Sequence, residues 1–109
     1  MNNRHNLPLS EQWYHAAKAH TDLKAAAEML EEGKSAFLSQ KMAKHGDIPV
    51  SKAELAVKAS AEWADYIKKM CNARYQSDLA AVEKEYLRMK FSESMSTDAN
   101  QRQELRMVR

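Results

Sequence analysis

Apolar and small residues recur along this chain at helical spacing, and nowhere do they alternate with a period of two. From Ser10 to Lys44 the positions are Trp13, Ala16, Ala17, Leu23, Ala27, Leu30, Phe37, Leu38 and Met42, with no proline among them. Ser10 reads as the N-cap of this first helix, and Glu11 sits where the helix dipole favours an anion. Gly33 falls on the stripe between Leu30 and Phe37. It is either a tolerated glycine or the mark of a second helix passing close by.

Lys44-His45-Gly46 reads as a helix stop, and Asp47-Ile48-Pro49 as the turn. Ser51 and Glu54 then have the spacing of a capping box, with Val50 and Leu55 placed as a hydrophobic staple. The pattern predicts a second helix from Lys52 to about Ser94, carrying two stripes. One is Ala59, Trp63, Tyr66, Met70, Ala73, Ala80, Leu87 and Phe91; the other is Ile67, Cys71, Tyr75, Leu79, Val82, Tyr86 and Met89. Ser96-Thr97-Asp98 reads as the end of this helix or the cap of a short third. The expected organisation is a polar arm over 1–9, a helical hairpin over 10–96 and a polar tail over 97–109.

Helices of these lengths run ~50 and ~65 Å, so one hairpin is a rod that covers a single stripe of the second helix. The fold class expected is therefore all-α: a long helical hairpin of two long helices, with room for a short third, that self-associates. The alternative is a break near Asn72 that folds the chain into a three-helix bundle. The interface between copies is assigned to Trp63, Ile67, Met70, Tyr75, Leu79, Val82, Tyr86 and Met89. Seven methionines suit such an adaptable surface.

Composition agrees. Glycine and proline number two each in 109 residues, leaving few places to turn. One cysteine, Cys71, makes an internal disulfide impossible. The first residues have no apolar signal-peptide core, and charges interrupt every apolar stretch well short of the ~20 residues a bilayer requires. The expected location is the cytoplasm, with no membrane partner. No catalytic constellation emerges. The histidines His5, His15, His20 and His45 do not suggest a metal site, two glycines cannot build a phosphate-cradling loop, and Cys71 on an apolar stripe reads as a packed small residue. Neither enzyme activity nor a cofactor is expected.

The net charge of +2 says little, but its distribution says more. Over 21–32, Asp22, Glu28, Glu31 and Glu32 against Lys24 give −3; over 33–53, Lys34, Lys41, Lys44 and Lys52 against Asp47 give +3. Lys34, Lys41 and Lys44 share one side of the first helix, and His45 and Lys52 extend the cluster through the turn. A basic hairpin tip of this kind attracts phosphates, but composition alone favours helix-end compensation and solubility as its explanation.

The stretch Glu31-Glu-Gly-Lys-Ser-Ala-Phe-Leu-Ser-Gln-Lys-Met-Ala-Lys-His-Gly46 resembles the UvsY-type recombination mediators of tailed phages. Glu31, Lys34, Leu38, Lys41 and Met42 fall in register with that family's pattern, as do Glu54, Val57 and Ser60 at the start of the second helix. The resemblance implies a ring-like oligomer of all-α hairpins. It also implies single-stranded DNA binding, and loading of a recombinase onto strands covered by a single-strand-binding protein. The family's basic-x-basic step is matched at its second member by Lys41, whereas the first is Ser39. The DNA-contacting residues expected are thus Lys34, Lys41, Lys44, His45 and Lys52. The competing expectation is a helical protein-interaction module without nucleic acid, such as a phage-encoded inhibitor or a coiled-coil adaptor.

Overall fold

The computed structural model describes residues 6–107, and these form three helices: α1 Leu9–Ala43, α2 Val50–Lys58 and α3 Ala61–Met107. No strand occurs among the described residues. The chain is all-α and built as a helical hairpin, and its contacts divide into two compact units. One is Asp22–Ser77; the other is Met1–Thr21 with Asp78–Arg109. Residues 1–5 of the expected arm lie outside the described residues.

α1 begins at Leu9 rather than after a Ser10 cap. The Pro8 carbonyl accepts from the N–H groups of Glu11 and Gln12, both at 3.0 Å, which places Ser10 inside the first turn. The helix stops where the sequence indicates. Gly46 adopts φ +72, a left-handed conformation open to glycine without cost.

The capping box does not form. α2 starts at Val50 behind Pro49, whose carbonyl accepts from Lys52 and Ala53 at 3.0 Å each. Ser51 is therefore a helix residue, and Glu54 pairs with Lys58 at 2.7 Å instead of reaching back to an amide. The staple fails with it: Val50 is 71% exposed and Leu55 73%, while Ala53 and Val57 point inward.

The second helical segment breaks at Ala59-Ser60, well before Asn72. Ser60 supplies the cap that starts α3. Its Oγ accepts from the Trp63 N–H at 3.2 Å and donates to the Val57 carbonyl at 2.6 Å. α3 then continues past Ser94 and Asp98 to Met107. Thr97 does not cap forward; its hydroxyl turns back to the Glu93 carbonyl at 3.0 Å, as a mid-helix threonine does. No residue from Ser92 to Met107 is buried.

In the Asp22–Ser77 unit α1 and α3 run antiparallel: Lys41 meets Glu62, Phe37 meets Trp63 and Tyr66, and Glu31 meets Arg74. The face of α3 used here is Trp63, Tyr66, Met70, Ala73 and Ser77, spaced alternately by three and four as in a coiled-coil seam. Met70 and Ser77 are buried, as is Ala27 from α1. Small side chains let the backbones approach, and Gly33 marks one such place. A Cβ added there would stand 3.1 Å from the Tyr66 hydroxyl, which donates to the Leu30 carbonyl. Of the two readings of Gly33, close approach is the one the structure shows.

In the other unit the same spacing continues through Ala80, Lys84, Leu87 and Phe91. Leu87 is buried there, together with Ala16 of α1.

Candidate functional site

Two surfaces carry the residues that sequence reasoning singled out. The first is the basic stretch around the α1–α2 turn. Lys41 forms an ion pair with Glu62 and lies 5.5 Å from the Phe37 ring centroid. Its hydrogen bond to Glu62 raises the Lys41 pKa above the ordinary lysine value, outweighing the opposing effect of desolvation. The same bond, with the lysine's charge, lowers the Glu62 pKa. Lys34 sits 5.8 Å from the Trp63 ring centroid, at the edge of a stack in which the Phe37 and Tyr66 centroids are 4.5 Å apart. Two of the five expected DNA-contacting residues thus already have partners inside the hairpin. Lys44, His45 and Lys52 are exposed on the turn and the start of α2.

The second surface is the outer face of α3. Trp63 and Met70, assigned by sequence to an interface between copies, are used up within the hairpin; Trp63 stacks with Phe37 and Tyr66, and Met70 is buried. Periodicity places them on a different stripe from the rest but does not say which stripe α1 covers, since both keep helical spacing. Ile67 is half-buried. The remainder stand out in solvent. Tyr75 is 59% exposed; Leu79 is 46%, Val82 66%, Tyr86 55% and Met89 52%. Cys71 is likewise exposed rather than packed.

Leu79, Val82, Tyr86 and Met89 are spaced three, four and three, so they form a second seam on the side of α3 turned away from the first. Acidic residues flank it. Asp78 lies one turn before Val82 and Glu85 one turn after it, and Glu83 adjoins Leu79 and Tyr86. Glu85 also holds Arg88 at 3.0 Å, and that bond lowers its pKa. Lys90 lies 5.6 Å from the Tyr86 ring centroid at the far end of the row.

A third apolar group was not found from sequence. Ile48, Val50 and Leu55 are 40%, 71% and 73% exposed around α2. Reading Val50 and Leu55 as a staple concealed them; the signal was Pro49, which fits the position just before a helix and shifts the start of α2 to Val50. An apolar cleft of about 210 Å³ lies between Trp13 and Phe91, bordered by Ser10 and Arg88. Among the described residues no cluster of His, Cys, Asp or Glu is placed to hold a metal, and no helix is long and apolar enough to cross a membrane.

No protein family, curated protein or solved structure matches the chain.

Proposed function

We propose that this protein is a helical interaction module that self-associates through the outer row of α3. The observation that supports it most is the row itself: Leu79, Val82, Tyr86 and Met89, each about half exposed, at coiled-coil spacing. Scattered exposed apolar residues need no explanation, but an ordered seam of them is a surface built for another helix. The test is light scattering on the wild type and on Val82→Glu with Tyr86→Glu. The wild type should weigh several times 12.5 kDa and the variant should be monomeric. A monomeric wild type, or a variant of unchanged mass, sinks the reading.

A second reading, a mediator that binds single-stranded DNA and loads a recombinase, is favoured by exposed Lys44, His45 and Lys52. It predicts that Lys44→Ala with Lys52→Ala weakens binding to oligo-dT, while Lys68→Ala with Lys69→Ala does little. Each lost phosphate contact on a single strand flattens the plot of log affinity against log salt by about 0.7, so two give about 1.4. If the wild type ignores oligo-dT at low salt, this reading falls.

A further inference from the structure

We infer that the bare end of α3 is a second contact between copies, independent of the outer row, in which two such ends lie antiparallel across a two-fold axis at residue 100. Every residue concerned belongs to the unit of Met1–Thr21 with Asp78–Arg109. The face of α3 that α1 covers does not stop where α1 begins. From Leu87 it continues through Phe91, Met95, Asp98, Arg102 and Leu105, at steps of four, four, three, four and three. α1 leaves this face at the cleft of Trp13 and Phe91; beyond it Met95 is 54% exposed and Leu105 69%. A face packed over one length and uncovered over the next has room for another helix there. The chain ahead of α1 is no substitute, since Met1-Asn-Asn-Arg-His-Asn carries a single apolar side chain.

This uncovered face is its own complement. Met95 and Leu105 stand at equal distances either side of residue 100, and so do Asp98 and Arg102. An antiparallel copy therefore sets Met95 against Leu105 twice and Asp98 against Arg102 twice. Neither charge is spent within the chain. Among the described residues neither side chain forms an ion pair, and the Arg102 Nε donates only to the Asp98 main-chain carbonyl, at 3.4 Å. Slipping by one turn sets Asp98 on Asp98 or Arg102 on Arg102, so the charges fix the register, as polar seam residues do at a cost in affinity. Length selects the same register. Met107 of one copy then lies opposite Glu93 of the other, just past the cleft at Phe91, so each end fills the other's bare ~21 Å without displacing α1. Acids and bases are mixed along the run, which attracts neither a polyanion nor an anionic membrane. A two-fold contact closes at two copies. Combined with the outer row, on the other side of α3, it lets an assembly grow past two, as a mass several times 12.5 kDa requires. The patch is small, so alone it belongs to the weak class: it fills at sub-millimolar concentration, and dilute protein keeps a bare end.

Cross-linking at sub-millimolar protein tests this. The parent chain carries Cys71→Ser, which removes the exposed native thiol, and Val82→Glu with Tyr86→Glu, which disables the outer row. In that parent, Ala99→Cys stands beside the axis and should give a disulfide-linked dimer under mild oxidant. Asn100→Cys, on the opposite side of the helix, should lag far behind. Adding Asp98→Arg or Arg102→Asp to the Ala99→Cys chain should slow linkage about tenfold, because two exposed ion pairs become repulsions. Mixed one to one, these two variants should recover most of the parent rate, since each like-charged pair then meets its opposite. Within each helix the charges stay alike, so recovery cannot come from a repaired helix. If Ala99→Cys and Asn100→Cys link equally, the contact is chance collision. If Ala99→Cys does not link at all, no second copy covers the face; if the mixture is as slow as its parts, the register is wrong. Each of these overturns the inference, and none bears on the outer row, which the parent lacks.

Discussion

Gly33 offers the sharpest test of how α1 and α3 meet, because two opposing energies can be separated there. Replacing Gly33 with Ala in a helix interior gains about 1 kcal/mol of backbone propensity. Against that gain, the new Cβ stands 3.1 Å from the Tyr66 hydroxyl, so the phenol must yield by a few tenths of an ångström. Its hydrogen bond to the Leu30 carbonyl weakens as it does so. Such a bond is worth about 0.5–1.5 kcal/mol net, and an extra methyl in a packed seam costs about 1–3 kcal/mol. Taking about 2 kcal/mol for both together, Gly33→Ala should destabilise the wild type by about 1 kcal/mol. In a Tyr66→Phe background the opposing hydroxyl is gone, and the same change should stabilise by about 1 kcal/mol.

The expected coupling is therefore about 2 kcal/mol, inside the range seen for residues in direct contact. Urea unfolding followed by circular dichroism at 222 nm, with all four proteins at one concentration, measures it. On heating, each kcal/mol corresponds to roughly 4–8 °C for a domain of this size. If Gly33→Ala stabilises the wild type as much as it stabilises Tyr66→Phe, the phenol does not press on Gly33 and the close approach is wrong.

Two further outcomes follow from the helix starts. Ser60→Ala removes the cap of α3 and should cost about 1 kcal/mol, whereas Ser60→Asp keeps an acceptor and should cost much less; equal losses in urea would show that the Ser60 hydroxyl does not cap. Glu62 has its pKa lowered by Lys41, so the stability it contributes is present above the ordinary glutamate pKa and is lost as pH falls through the depressed one. The urea midpoints of wild type and Glu62→Gln should therefore differ at neutral pH and converge in acid, and a constant difference down to low pH would exclude the ion pair as the cause.

The hairpin was legible because its turn is written in residues with a single physical meaning. Gly46 supplies the left-handed end of α1, and Pro49 cannot continue it. The break at Ala59-Ser60 was not legible, since neither residue forbids a helix. Only the tertiary demand that Ala53 and Val57 turn inward makes Ser60 a cap instead of one more helical position. The opposite error occurred at Ser96-Thr97-Asp98, where cap-forming residues sit inside α3 because the Thr97 hydroxyl bonds backward. At the candidate surfaces, spacing revealed two stripes on the second helix but could not say which one α1 covers. Seam residues Trp63 and Met70 and outer residues Leu79 and Val82 differ in neighbours, not in period. A run of cations on α1 likewise does not disclose that Glu62 and the Phe37–Trp63–Tyr66 stack await two of them.

The bare run of α3 from Ser92 to Met107 has a kinetic consequence. A helix segment of this length is marginal in water by itself, because its first turn is costly to form. Here the packed turns at Leu87 serve as that first turn, so the run need only be extended, one amide at a time. It should therefore unzip from Met107 inward without disturbing anything else. Amide hydrogen exchange would then show protection decaying smoothly from Leu87 outward rather than in one step. Trypsin should find Arg106 first and Arg102 next, trimming the helix while the hairpin stays intact.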